Sequence, residues 1–188
     1  MIKLGIAFTG SFCTTDKVIE VCERLLEQNF DITPIFSEHV QTTDTRFGKA
    51  NEKVAKINEM CKKCGINTIV SAERIGPEQL FDALVIAPCT GNTLAKLANG
   101  ITDNTVTMAV KSHLRNEKPL IVALATNDGL SGSAQNIAMM LNRKHCYFVP
   151  FGQDNPHEKP NSLVANMDFL PETIQKALKN KQIQPILI

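Results

Sequence analysis

In several places this chain puts small, hydroxyl- or amide-bearing residues directly after a short apolar run. The densest case is LVIAPCTGNTLAKLANG at 84–100, where Leu84–Ala87 meets Pro88-Cys89-Thr90-Gly91-Asn92-Thr93 and a helical pattern then closes on Gly100. Ile2–Phe8 is likewise followed by Thr9-Gly10-Ser11-Phe12-Cys13-Thr14-Thr15, Ile32–Phe36 by Ser37, and Leu120–Leu124 by Ala125-Thr126-Asn127-Asp128-Gly129. A turn of this kind that opens a helix can hold an anion. The first helical amides are unpaired, the dipole favours negative charge, glycine admits close approach, and Ser or Thr adds a hydroxyl. Gly10, Ser11, Cys13, Ser37, Thr90, Gly91, Asn92, Thr93, Thr126 and Asn127 are therefore candidates for holding a phosphate-bearing cofactor. A blander reading stays open after Leu84–Ala87, in which Asn92 or Thr93 caps a helix and its neighbours are turn residues.

The connection after Ser37 adds Thr42, Thr43, Asp44, Thr45 and Arg46. The planar fork of arginine suits a carboxylate. Arg46, with Thr43 beside it, is thus a candidate for substrate binding, the alternative being a solvated arginine at a helix start. The first loop carries neither GxGxxG nor GxxxxGK[ST], so no standard dinucleotide or Walker fingerprint is present. Cys61-Lys-Lys-Cys64 is one CxxC with no second pair, and Cys61 continues an apolar helical face, which favours packing over metal or redox work. Cys89 has no evident base nearby and reads the same way. The four histidines show no HxxxH or HExxH spacing, so no metal site is expected.

These residues need elements to position them. Strands are expected at Ile2–Phe8, Ile32–Phe36, Thr68–Val70, Leu84–Ala87, Leu120–Leu124 and, as the last, Tyr147–Phe151. The first helix is expected to be capped at Thr15-Asp16, with Val18, Ile19, Val21, Cys22, Leu25 and Leu26 on its apolar face. Val54, Ile57, Met60, Cys61 and Cys64 mark another helical face. Further helices are expected at 93–99, 104–115, 133–143 and 171–180, with Pro171 in the first turn of the last. Strands apolar on both faces and separated by helices mean a covered parallel sheet. The sequence predicts one doubly wound α/β domain over 1–188, Rossmann-like or flavodoxin-like, with a mostly parallel sheet of about six strands. In such a sheet ligands bind beyond the carboxyl ends of the strands, where all of these loops lie.

Composition narrows the function classes. Twenty Lys plus Arg against nineteen Asp plus Glu, with no like-charge block beyond a pair, leaves no nucleic-acid footprint. No apolar run approaches a membrane span, and the start is too short for a signal-peptide core, so a soluble cytoplasmic protein with reduced thiols is expected.

The loops also carry a resemblance. DALVIAPCTGNTLAKLANGITDN resembles the PASANT segment of the flavoprotein superfamily that contains phosphopantothenoylcysteine decarboxylase and the peptidyl-cysteine decarboxylases. PLIVALATNDGLSGSAQNIAMML is similar to its second signature, whose Pro-Ala-Met-Asn becomes Ala125-Thr126-Asn127 with a one-residue difference. The resemblance implies FMN, its phosphate near the first loop, Ser37 and the PASANT-like turn. Over nearly the whole chain, TGSFCTTD, TTDTRFG, APCTGNTLAKLANGITD, FGQDNPHEKPNSLVANMDFLPETIQKAL and QPIL are similar to the B subunits of dipicolinate synthase from spore-forming bacteria. The FGQD…KPNS…QPIL tail is the most specific part. This implies oxidation of a dihydrodipicolinate-type precursor to dipicolinate with NADP, in the mother-cell cytoplasm of a sporulating bacterium. It also implies a partner, the A subunit of dipicolinate synthase, which would hold NADP, and a homo-oligomer built on trimers.

Two departures stand out. The decarboxylases carry a catalytic histidine in a His-Ile pair, where this chain has Arg74-Ile75. An arginine cannot shuttle protons near neutral pH, but it can hold a carboxylate, which makes Arg74 a further candidate for a dicarboxylate substrate. The methionine of Pro-Ala-Met-Asn is replaced by Thr126. Three readings follow. The chain is an oxidoreductase subunit, or it is silent and binds FMN or serves as a scaffold. The third, an FMN-dependent cysteine decarboxylase, is disfavoured by Arg74.

Overall fold

The computed structural model describes all 188 residues. Its central strands are β1 (Ile2–Phe8), β2 (Phe30–Phe36), β3 (Ala83–Cys89) and β4 (Leu120–Thr126), all parallel, in the spatial order β2-β1-β3-β4. β3 is buried along its whole length and β4 at all but its last residue, as apolar runs covered by helices on both faces must be. Burying each such Leu, Ile or Phe side chain contributes roughly 1.5–3 kcal/mol. Phe8 and Phe36, at the carboxyl ends of neighbouring strands, stack with ring centroids 5.9 Å apart. They close the core just beneath the ligand edge.

The helices are α1 (Phe12–Glu27), α2 (Glu38–Thr42), α3 (Ala50–Cys61), α4 (Ile69–Glu73), α5 (Gly91–Ala98), α6 (Thr105–Leu114), α7 (Ala134–Leu141) and α8 (Leu170–Ala177). The apolar stripe of α1 packs as its spacing requires, with Val18, Ile19, Val21, Cys22 and Leu25 buried. Its start differs from expectation. α1 opens at Ser11 rather than Thr15-Asp16, and the Thr15 hydroxyl donates back to the Ser11 carbonyl at 3.3 Å as a residue inside the helix.

Two other expectations are corrected. Thr68–Val70 is not a strand: Thr68 accepts the Ser71 amide and the Ser71 hydroxyl accepts the Thr68 amide, a capping box that starts α4. Val70 is 70% exposed there, so its β-branched shape finds no sheet to pack on. Only Ile66 reaches the sheet, by one parallel bridge to Ile35.

Nor is Tyr147–Phe151 one final strand. β5 (Cys146–Phe148) pairs in parallel with the amino-terminal half of β4, and Pro150, with no amide to donate, follows two residues later. The chain then forms β6 (Phe151–Gly152), which pairs with β7 (Leu163–Ala165), and β7 runs antiparallel to the carboxyl end of β4. The sheet therefore has seven strands, and one side of β4 is shared between two partners. This split raises the segment after residue 150 above the sheet edge, where it becomes one wall of a cleft.

Candidate functional site

The site is built where the strand order reverses, between the loops that leave β1 and β3. Thr9 locks these loops together. Its buried hydroxyl donates to the Pro88 carbonyl at 2.6 Å and accepts the Thr90 amide at 3.1 Å. Next to it α1 begins at Ser11, whose side chain caps no helical amide. The Ser11 hydroxyl lies 3.2 Å from that of Thr14 and 3.9 Å from the Cys13 sulfur instead. A sixteen-residue helix thus opens on the cleft with its first-turn donors free of a side-chain cap. That donor set fits the phosphate of a nucleotide cofactor such as FMN.

Across from it, Thr90 caps α5, its hydroxyl accepting the Thr93 amide at 3.2 Å. The cap is therefore Thr90, neither Asn92 nor Thr93. Gly91 is required by close approach: a β-carbon there would stand 2.5 Å from the Thr126 hydroxyl and 2.7 Å from that of Ser133. Thr126 donates in turn to the Asp128 carboxylate, and the Thr126 and Ser133 hydroxyls hold that carboxyl below the usual range. The Ser162 hydroxyl bonds the Thr126 carbonyl at 3.2 Å and ties the late segment to the same turn.

Between these walls lies a cleft of about 1050 Å³. Of the candidate residues, Gly10, Ser11, Cys13, Thr90 and Gly91 line it on one side, and Thr126, Asn127 and Arg46 elsewhere. Ser37, Asn92, Thr93 and Thr43 do not. Ser37 is buried and caps α2 by accepting the Val40 amide at 3.4 Å, and the next turn approaches the site, with His39 Cβ 3.9 Å from where a β-carbon on Gly10 would stand. Thr93 is buried against Thr90, Asn92 is exposed, and Thr43 ends α2. Arg74 lies outside the cleft at the end of α4, where its guanidinium binds Glu78 through Nε at 2.7 Å and Nη2 at 3.3 Å.

Sequence reasoning did not single out the α1 face that lines the cleft, Lys17, Glu20 and Arg24. With Cys13 these recur at helical spacing opposite Val18, Cys22 and Leu25, so the signal was legible. The late wall, with Gln153, Asp154, Lys159 and Asp168, carried no such local signal. Its place follows from strand pairing far apart in sequence. Arg24 binds Asp168 at 3.0 Å and so joins the two walls. Cys89 is fully buried, and burial pushes its thiol far up, which makes it a packing residue; Cys61 is buried in the core as well.

The Flavoprotein family model matches residues 1–167. The B subunit of dipicolinate synthase from Bacillus subtilis (strain 168) is 44% identical over 186 residues, covering 99% of this chain and 93% of the relative. The chain belongs to the Flavoprotein family, and within it to the dipicolinate synthase B subunits. The crystal structure of the dipicolinate synthase B subunit from Bacillus halodurans C superposes with a TM-score of 0.91 at 46% identity, covering 100% of this chain and 96% of the other. Burkholderia xenovorans DmrB in complex with FMN, described as a cubic protein cage for redox transfer, has the same fold, with a TM-score of 0.69 at 18% identity over 95% and 96% of the two chains. The Flavoprotein part supplies the loops at Ser11, Thr90 and Thr126. It also takes in most of the late wall, Gln153, Asp154 and Lys159, and only Asp168 and the residues after it lie outside the family span but within the B-subunit match.

Proposed function

We propose that this flavoprotein-fold chain works as the B subunit of a dipicolinate synthase. Together with the A subunit it oxidises a dihydrodipicolinate-type ring to pyridine-2,6-dicarboxylate in the mother cell of a sporulating bacterium. The observation that carries the reading is the 44% identity over 99% of the chain, which includes both walls of the cleft. No helix is long and apolar enough to cross a membrane.

The reaction breaks a ring C–H bond, sends the hydride to NADP and releases a proton. Hydride carriage is cofactor chemistry, and this chain shows no nicotinamide fingerprint, so NADP is assigned to the A subunit. FMN, when bound, would supply a redox-active flavin. Ser11 and the first turn of α1, with the Thr90–Gly91 turn opposite, would hold its phosphate. Thr126 and Asn127 line the far side. Arg46 would hold a substrate carboxylate, and the Arg24–Asp168 pair would keep the late wall closed on α1. The assembly is proposed to be a homo-oligomer built on trimers that docks the A subunit.

One observation favours a second reading, in which this chain organises the site without moving a proton itself. The carboxyls shifted near the cleft, Asp128 and Asp154, both lie below the usual range, and a weakened base is poorly matched to proton abstraction near neutrality. A cysteine decarboxylase role is disfavoured, because Arg74 replaces the proton-relaying histidine and is turned to Glu78. The test is Arg46→Ala in the mixed A and B subunits. The expected result is a raised KM for the dihydro substrate with complex formation intact. Kinetics indistinguishable from the unmodified chain would count against the assignment.

A further inference from the structure

Lys53, on α3, has a side-chain nitrogen shut off from solvent with no hydrogen-bond partner. Nζ stands 5.9 Å from the ring centroid of Phe12 and 5.9 Å from that of Phe47, and both rings line the cleft. An ammonium without water or an acceptor is costly, and two aromatic faces offset only part of that cost. The loop before α3 is shaped around it. Gly48 has φ +123°, and a β-carbon there would stand 3.3 Å from Lys53 Cε. The turn that carries Phe47 is closed by reciprocal Thr45–Gly48 backbone bonds of 3.1 and 3.0 Å.

A second cation shares the same ring. The Arg46 guanidinium carbon lies 4.8 Å from the Phe47 centroid, and Arg46 lines the cleft. Neither Arg46 nor Lys53 takes part in an ion pair, whereas neighbouring Lys49 binds Glu52 at 3.6 Å. Two cations without anions thus flank one aromatic side chain: Arg46 lines the cleft, while Lys53 is not on its lining and stands near the Phe12 and Phe47 rings that are.

We propose that Lys53 is a specificity-determining residue, taking one carboxylate of a planar ring dicarboxylate while Arg46 takes the other. The inference rests on the dicarboxylate reading above and adds the residue that tells two carboxylates from one. A carboxylate at Nζ supplies the missing acceptor, and Phe47, on its exposed turn, is the side chain that must swing aside to admit it.

The test titrates pyridine-2,6-dicarboxylate and pyridine-2-carboxylate, by calorimetry, into the full chain mixed with the A subunit, as wild type and as Lys53→Met. Urea unfolding of the free chains is followed in parallel. The wild type is expected to prefer the dicarboxylate. Lys53→Met should lose about tenfold or more in affinity for it, the scale of one charge-assisted hydrogen bond, and little for the monocarboxylate. The variant should also be at least as stable as wild type, since it removes an unsatisfied buried charge. If wild type and variant discriminate equally, Lys53 is not the determinant and the dicarboxylate reading survives. If the wild type itself does not discriminate, that reading fails and the inference falls with it. A variant that is less stable and weakened alike for both ligands would show Lys53 to be structural and overturn the proposal.

Discussion

Ser11 is the residue at which the proposed phosphate site is most locally testable. Its side chain caps no amide of α1, so a ligand is free to use the helix start. Ser11→Asp would put a carboxylate against an incoming phosphate, and FMN affinity measured by flavin fluorescence should fall by about tenfold or more. Undiminished binding would remove the phosphate from this loop. His113 makes a different kind of residue-scale case. It is buried at the end of α6 with Nε2 3.0 Å from the Pro119 carbonyl, and burial lowers its pKa from 6.5 to about 4. A lowered folded-state value means stability present above pH 6.5 and lost as pH falls toward 4. A shift of that size corresponds to about 3 kcal/mol, at about 1.4 kcal/mol per unit. Urea midpoints at pH 7.5 and 4.5 should therefore differ, and His113→Gln should shrink the difference. An unchanged difference would show that other groups carry the acid sensitivity.

At the scale of elements, legibility followed the range of the interaction. β1, β3 and β4 were readable because their apolar runs are buried on both faces, and α1 because its stripe repeats at helical spacing. Thr68-Ile69-Val70 misled because β-branched residues favour strands, while the deciding interaction was the reciprocal cap with Ser71. Thr68→Ala should accordingly cost about 1 kcal/mol in chemical unfolding and fray α4, as faster amide exchange at Ala72 would report. A cost near zero would mean that packing of Ala72 and Ile75 alone sets this helix. The meeting of Ser11, Thr90 and Thr126 at one cleft was legible for a similar reason, since small residues after buried strands are local signals. Lys53 was not, because its meaning depends on Phe12 and Phe47, which meet only in the fold. The FGQD…KPNS… motif stood out by resemblance, but its place as a wall of the cleft was unreadable for the same reason, as β7 pairs with a strand nearly forty residues earlier (Ala125 with Val164).

At the scale of the whole molecule, the cleft joins the strand-end loops to a late segment far away in the chain. The loops at Ser11, Thr90 and Thr126 belong to the span shared with the Flavoprotein family, while Asp168 and the residues after it lie beyond that span but within the B-subunit match. The Arg24–Asp168 pair, at 3.0 Å, bridges the two. A cleft between the strand-end loops and the late segment suits the proposed role of binding and orienting a ligand while a partner carries the nicotinamide. The most direct test is dipicolinate formation, followed by the ultraviolet absorbance of the product with NADP and the dihydro precursor. It compares this chain alone, its A partner alone and the two mixed. This chain alone should give no turnover, and the mixture should form dipicolinate with NADP at a rate well above that of the A partner alone. Full activity from this chain alone, or a mixture no faster than the A partner alone, would contradict it.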